Sequence, residues 1–163
     1  KQTAFEKVVA MFDDTVKEVR QVSHNLASGV LVKFGLVPAL KDLCESIDSS
    51  GTIKVTLYTT GLTARLDQAM EASVYSIVQE LISNILRHAH ANEINVYLNQ
   101  QAEQLTLMVE DDGIGFDSSG TSDGIGLQNI RWRTAQLRGK AFFDSLPGKG
   151  CTVTIEIPKT PIL

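Results

Sequence analysis

Three stretches of the chain carry apolar residues at every third or fourth position, with polar residues between them. This spacing places the apolar side chains on one face of a helix, so it predicts three helices, and a fourth is expected after the glycine-rich stretch at 113–126. The first is the longest, and its narrow apolar stripe favours packing against other helices, including those of a second subunit. The predicted helices span residues 1 to about 27, 36–47, 67–89 and about 127–137, and Gly139 ends the last one.

Five shorter stretches are typical of β-strands. In the first, Ile53, Val55 and Leu57 alternate with other residues, which is the period of a strand with one buried face. The order of elements is α-α-β-α-β-β-α-β-β, with three connections of the hairpin type. We therefore expect a two-layer α/β sandwich, with a mixed, mostly antiparallel sheet preceded by a long N-terminal helix. The predicted strands span residues 52–60, 93–99, 104–110, 141–145 and 151–157.

Composition excludes several classes of function. The 163 residues include 15 basic and 19 acidic side chains, and the net charge of −4 provides no basic surface for nucleic acid or an anionic membrane. No apolar run approaches the roughly 20 residues of a membrane span. The two cysteines and three histidines lack the spacing of a zinc site. Because the chain opens with Lys1 and has no signal peptide, we expect it to be part of a longer protein.

The third predicted helix carries polar side chains along one edge. At 100° per residue, Glu80, Asn84, Arg87 and His88 fall on a single stripe. An amide oxygen is able to ligate Mg²⁺, which takes few protein ligands together with phosphates, and the two cationic side chains suit phosphate oxygens. The alternative is a solvent-exposed helix face without a ligand.

A second candidate is the turn that follows the strand at 104–110. Asp111 continues the inward parity of Leu107 and Val109, and an inward carboxylate must find hydrogen-bond donors. The amino group of an adenine ring is one candidate donor. Gly113 and Gly115 allow a sharp turn and a close approach to a ligand. The alternative is a plain Asp-Gly turn.

A third candidate is the glycine-rich entry into the last helix. Gly124 and Gly126 leave backbone N–H groups at the helix N-terminus free to hold phosphate, although a loop without a ligand would show the same pattern. Residues 117–123, between the second and third candidates, are small and polar, as expected of a lid over a ligand. There is no P-loop motif, and neither glycine pair completes the GxGxxG of a Rossmann site.

Taken together, these motifs resemble the catalytic ATP-binding domain of bacterial sensor histidine kinases, within the gyrase, heat-shock-chaperone and mismatch-repair ATPase superfamily. The resemblance is closest to the subfamily whose response regulators resemble nitrate regulators. EVRQVSHNL and GLVPALKDLC resemble the second dimerisation helix and its junction with the ATP domain. The other matching segments are QELISNILRHAHA, VEDDGIGF, GIGLQNIRWR and LPGKGCTVTIEIP.

This resemblance implies a Bergerat-type ATP-binding fold and a role for each matching residue. Asn84 would bind Mg²⁺, Asp111 would bind the adenine amino group, and Arg87 and His88 would lie near the phosphates of ATP. Glu80 matches the water-activating base of the superfamily's hydrolases, a role that is doubtful where the acceptor is a histidine. The remaining predicted nucleotide-binding residues are Gly113, Gly115, Gly124, Ile125, Gly126, Leu127, Cys151 and Thr152.

The resemblance also divides the chain. It implies part of a dimerisation domain at residues 1–30, including its second helix, and a catalytic ATP-binding domain at residues 31–163. It further implies a homodimer formed through the N-terminal helix, a response regulator receiver domain as partner and a cytoplasmic location. Any membrane attachment would come through regions outside this chain.

Three features depart from the family pattern. Cys151 stands where a Thr usually follows the last glycine, and because it shares strand parity with Val153 and Ile155 we expect it to point inward. Trp132 interrupts the usual acidic-Arg pair. The phosphoacceptor helix would lie upstream of Lys1, and His24 sits on the second helix, where a structural or signalling role is favoured over phosphoacceptance. Two other functions stay open: an ATP-hydrolysing member of the superfamily, and a degenerate nucleotide-binding or dimerisation module.

Overall fold

The computed structural model describes residues 29–117 and 125–159. The predicted first helix lies outside the described residues, and so does the dimer expected from it. Residues 29–34 are helical and lead through Gly35 into the first named element. The elements are α1 (Leu36–Asp48), β1 (Lys54–Thr60), α2 (Gln68–His88), β2 (Glu93–Gln100), β3 (Gln104–Asp111), α3 (Ile125–Gln136), β4 (Lys140–Ser145) and β5 (Cys151–Pro158).

The strands form one five-stranded sheet in the order β1-β2-β3-β5-β4. β1 runs parallel to β2, because α2 carries the chain back between them, and the other neighbouring pairs are antiparallel. The predicted mixed, mostly antiparallel sheet is therefore confirmed. The prediction of three hairpin connections is wrong for the described strands. Only β2–β3 and β4–β5 are hairpins, because α3 and β4 separate β3 from its neighbour β5 in the chain.

Alternation along the strands sends one set of side chains into the core. In β2, Ile94, Val96 and Leu98 are buried, while the residues between them are partly exposed. Leu105, Leu107 and Val109 of β3 repeat the pattern, and the register pairs Val96 with Val109. The three named helices pack on this buried face of the sheet, and none of these three lies on the other face. The two-layer sandwich expected from the sequence follows.

The ends of the helices fix where the loops begin. Asp67 caps α2 by accepting hydrogen bonds from the N–H groups of Ala69 and Met70, at 2.9 and 3.3 Å. At the end of α3 the structure differs from the expectation, because Arg138 and not Gly139 takes the left-handed backbone conformation, with φ of 53°. Gly139 serves packing instead, since a Cβ there would lie 2.6 Å from the Glu156 carbonyl oxygen.

No helix among the described residues combines the length and the apolar character needed to cross a membrane.

Candidate nucleotide-binding site

A cavity of about 540 Å³ opens where α2 ends, between the sheet and the start of α3. Its wall is mainly apolar, and a few polar side chains converge on it, as is usual for small-molecule sites. Residues from all three predicted motifs contribute to the same wall. The lining residues are Leu81, Asn84, Ile85, His88, Ala89, Val109, Asp111, Ile114, Gly115, Phe116, Gly126, Leu127, Cys151 and Val153.

Asp111 is the acidic group of this cavity and the last residue of β3. Its Oδ1 atom accepts a hydrogen bond from the Gly113 N–H at 2.9 Å, and among the described residues the carboxylate has no other partner. Burial raises the pKa of the Asp111 carboxyl above its usual value, and the charge of Asp112 adds to this, while the Gly113 N–H opposes it. The remaining acceptor capacity is available to a donor inside the cavity.

The glycines after Asp111 are required by close backbone contacts. A Cβ on Gly113 would lie 2.3 Å from the Ala89 carbonyl oxygen, which accepts the Ile114 N–H at 2.7 Å. Gly115 has a φ of 59°, and a Cβ there would lie 2.2 Å from the Leu146 carbonyl oxygen. Only glycine fits at both positions, so the turn is held between the end of α2 and the β4–β5 loop.

Asn84 and Glu80 lie one helical turn apart on α2 and meet the start of α3. A Cβ on Gly126 would lie 2.8 Å from Glu80 Oε1 and 3.0 Å from Asn84 Nδ2. Asn84 faces the described cavity, whereas Glu80 lines a neighbouring groove beside Arg133. Gly126 thus allows the N-terminus of α3 to pack directly on the two polar side chains that the first motif singled out.

Not all of the other predicted residues line the cavity. His88 and Leu127 line the cavity, while Arg87 is exposed and does not contribute to its wall. Thr152 pairs with Glu110 and so follows the opposite strand parity to Cys151, away from the cavity face. Ile125 is the first residue of α3, and Gly124 and most of the predicted lid, residues 118–123, lie outside the described residues.

Cys151 faces the cavity beside Asp111. The register pairs these two residues directly across β3 and β5, as the inward parity of Cys151 predicted. Burial, and to a lesser degree the charge of Asp111, raises the pKa of the Cys151 thiol to about 11. The side chain is therefore a neutral thiol at physiological pH and a weak nucleophile.

Sequence reasoning missed the apolar part of the wall. Ile114 and Phe116 lie between and after the two glycines of the turn, and Val153 follows Cys151 by two residues on the same strand face. The strand parity that singled out Asp111 and Cys151 also identifies Val109 and Val153. Ile114 and Phe116 had no such signal, because a turn has no fixed period.

Residues 69–161 match the sequence profile of the family described as histidine kinase-, DNA gyrase B-, and HSP90-like ATPase. The match covers more than half of the chain and includes every predicted site residue. The chain belongs to this family. Its cavity is therefore that of an ATP-binding domain, and the position of the three motifs around it agrees with the resemblance found in the sequence.

Two curated relatives are histidine kinases. DegS of Brevibacillus brevis, a signal transduction histidine-protein kinase/phosphatase, is 29% identical over 151 residues, which are 92% of this chain and 39% of the relative. The sensor histidine kinase MctS of Rhizobium johnstonii is 32% identical over 160 residues, which are 95% of this chain and 34% of the relative. The recognition as a sensor histidine kinase catalytic domain is confirmed, and the chain spans well under half the length of these relatives.

Solved structures agree on the fold. The histidine kinase domain of the blue-light-activated kinase EL346 from Erythrobacter litoralis superposes with a TM-score of 0.60 at 25% identity, over 74% of this chain and 59% of that one. The histidine kinase AdeS of Acinetobacter baumannii gives a TM-score of 0.63 at 16% identity, over 91% of this chain and 84% of that one. At this identity the second match speaks for the fold alone. The predicted α/β fold class is confirmed, and the assignment to the nitrate-regulator-type subfamily stays a prediction.

Proposed function

We propose that the chain binds ATP with Mg²⁺ in this cavity and transfers the γ-phosphoryl group of ATP to a histidine, with ADP as the leaving group. The observation that carries the proposal is the shared cavity of Asp111 and Asn84. One is an acceptor at the end of the sheet and the other an amide beside the start of α3. The two groups fit opposite ends of a nucleotide, since a base presents amino donors and the phosphates bring a metal ion.

Asp111 would accept a hydrogen bond from the adenine amino group through its carboxylate. Asn84 would supply one oxygen ligand to Mg²⁺, and His88 would lie near the phosphates. The described residues contain no cluster of acidic, histidine or cysteine side chains able to hold a metal alone. This donor set fits Mg²⁺, which keeps several waters and relies on substrate phosphates for the rest of its shell. The ion would neutralise charge on the phosphates during transfer.

In the longer protein, the acceptor histidine would lie on a dimerisation helix upstream of Lys1, and the phosphoryl group would pass to a response regulator receiver domain. Residues 1–30 would form part of the dimerisation domain and residues 31–163 the ATP domain. A homodimer through the N-terminal helix follows from this division. Gly124 and Ile125 keep their predicted places near the nucleotide as part of the proposal, and His24 keeps a structural or signalling role. Arg87 and Thr152 also remain predicted nucleotide-binding residues, although neither lines the cavity.

The test is calorimetric titration of ATP into the 163-residue chain, with and without Mg²⁺. We expect binding that strengthens with Mg²⁺ and weakens about 10- to 100-fold in Asp111→Asn, because a hydrogen bond to a charged acceptor contributes about 1.5–3 kcal/mol. Purine riboside triphosphate, which is ATP without the 6-amino group, should bind the wild type and Asp111→Asn about equally. A wild-type chain without affinity for ATP would favour the degenerate signalling module instead.

An assay of phosphate release distinguishes a kinase from a hydrolase. Glu80 lies beside Asn84 against Gly126, close enough to the cavity to make hydrolysis the second candidate function. Steady phosphate release from ATP that Glu80→Gln abolishes would support a hydrolase. We expect little release from the start, and no phosphate on His24 by mass spectrometry, because the proposed acceptor histidine would lie on a helix upstream of Lys1.

A further inference from the structure

At one edge of the sheet, three neighbouring strands carry a row of small or polar residues on the buried face. The register places Asp111 of β3 opposite Cys151 of β5, and Cys151 opposite Ser145 of β4. The next row inward, Val109, Val153 and Phe143, is apolar. Asp111 and Cys151 face the cavity, whereas Ser145 does not line it and is only 3% exposed. A buried hydroxyl at this place needs partners, and those partners show what it does.

The Ser145 hydroxyl joins three segments around the cavity. It donates to the Gly150 carbonyl oxygen at 2.8 Å and accepts from the Phe116 N–H at 2.9 Å. Phe116 and Cys151 both line the cavity, and Gly150 packs so tightly that a Cβ there would lie 2.0 Å from the Asp111 carbonyl oxygen.

We infer that Ser145 is a positioning residue of the nucleotide site, which rests on the proposed function. It touches no part of the cavity itself. Its hydroxyl holds the turn after Asp111 and the start of β5 in register, so the cavity wall beside the Asp111 carboxylate keeps its shape. Loss of this hydroxyl should therefore weaken recognition of the base of the nucleotide and leave the contacts to the phosphates unchanged.

The experiment compares two nucleotides in Ser145→Ala and in a matched control. Thr134 is an equally buried hydroxyl, 1% exposed, that donates to the Ile130 carbonyl oxygen within α3 at 2.8 Å and does not line the cavity. Thr134→Val therefore reports what the loss of a buried hydroxyl costs in stability alone. Affinity for ATP and for purine riboside triphosphate is measured by calorimetry, alongside thermal unfolding, for the full chain.

We expect Ser145→Ala to weaken ATP binding about tenfold and to weaken binding of purine riboside triphosphate much less, since one or two hydrogen bonds are lost. Ser145→Thr, which keeps the hydroxyl, should restore the preference for ATP. Thr134→Val should lower the unfolding temperature without changing the ratio of the two affinities.

An unchanged ratio of the two affinities in Ser145→Ala would overturn the inference, whether both affinities stay the same or fall together. If Ser145→Ala does not fold, Ser145→Cys provides the same comparison, because a thiol is nearly isosteric and a poor hydrogen-bonding substitute. A wild type that fails to bind ATP would instead contradict the proposed function. The two failures are therefore distinguishable.

Discussion

Two carboxylates, Glu71 of α2 and Asp111 of β3, lie near opposite ends of α2 and are used in opposite ways. Near the N-terminus, Glu71 is 2% exposed and both of its oxygens are bonded, by the Arg65 guanidinium at 2.6 Å and by the Leu66 N–H at 3.3 Å. Beyond the C-terminus, Asp111 accepts one described hydrogen bond and faces a cavity. The hydrogen-bonding capacity of Glu71 is used by its protein partners, whereas Asp111 keeps acceptor capacity for a ligand.

This difference separates stability from binding. A buried charge that is fully paired holds the fold together, because removing its partner leaves a charge without solvent or counter-ion. Arg65 extends this pairing, since it also donates to the carbonyl oxygens of Leu31 and Val32 and so ties the segment before α1 to α2. An incompletely paired acid contributes little to the fold and keeps acceptor capacity for a ligand.

The largest effect on stability should follow from disrupting the Arg65–Glu71 ion pair. Glu71→Gln weakens the charge-assisted bonds to Arg65 and should lower the free energy of unfolding by about 2 kcal/mol. Arg65→Ala should be more damaging, because it leaves the Glu71 carboxylate buried without its cation. Urea denaturation measures both, and the affinity for ATP in the folded protein should not change.

The matched control for that pair is Lys54→Ala. Lys54 forms an ion pair with Glu93 at 2.9 Å, but both side chains are exposed to solvent. Solvent-exposed pairs contribute little, so the urea midpoint should hardly move. A Lys54→Ala midpoint that falls as far as that of Arg65→Ala would contradict the role assigned to burial.

Asp111→Asn should have the opposite effect to Glu71→Gln: it should weaken ATP binding and leave stability nearly unchanged. ATP affinity should fall by the 10- to 100-fold expected above, while stability at neutral pH should stay the same or rise slightly. The reason is that burial disfavours the Asp111 charge, and the amide oxygen of Asn is still able to accept the Gly113 N–H. A loss of stability comparable to that of Glu71→Gln would show that Asp111 is a structural residue.

The pH dependence of two neighbouring acids sharpens the comparison. Because the pKa of Asp111 is raised in the folded chain, the free energy of unfolding should decrease as pH rises through that pKa and the carboxyl ionises. ATP affinity should fall as pH drops through the same pKa, since the carboxylate that accepts the hydrogen bond is then protonated. The pKa of Asp112 is lowered by the backbone N–H groups of Glu93 and Asn92. The Asp112 carboxylate therefore stabilises the fold above its pKa in the unfolded chain, and this stabilisation is lost as pH falls through its pKa in the folded chain.

Urea midpoints and ATP affinities measured from neutral to acidic pH check both signs. Asp111→Asn should flatten the pH dependence of affinity, and Asp112→Asn should flatten part of the acid loss of stability. An affinity for ATP that is independent of pH in the wild type down to the unfolded pKa of Asp would count against a carboxylate acceptor for the base.

The smallest effect should come from Gly126→Ala. The added methyl group meets the ends of the flexible Glu80 and Asn84 side chains, which are able to move aside, so the chain should fold with little loss of stability. Displacing Asn84 should weaken the Mg²⁺-dependent part of ATP binding a few-fold. Gly113→Ala is the contrast, because its methyl group meets the rigid Ala89 carbonyl oxygen and should destabilise the fold.

The sequence predicted most of the fold because the signals were local. Alternation in β2 and β3 and the helical period in α2 depend only on neighbouring residues, and the observed bounds differ from the predicted ones by one or two residues. The same parity predicted that Asp111 and Cys151 face inward. The Arg65–Glu71 pair had no local signal, since it depends on how the loop between β1 and α2 closes over the segment before α1.

The sequence by itself determined the elements, the class of fold and the residues able to meet a nucleotide, because period, parity and glycine spacing are properties of the chain alone. Only the tertiary structure decided which of those residues share a cavity. Register between β3, β5 and β4 brings Asp111, Cys151 and Ser145 into one row. The packing of α3 on α2 leaves Asn84 in the wall of the cavity and Glu80 in the neighbouring groove. Both depend on contacts between residues distant in sequence, which no local pattern encodes.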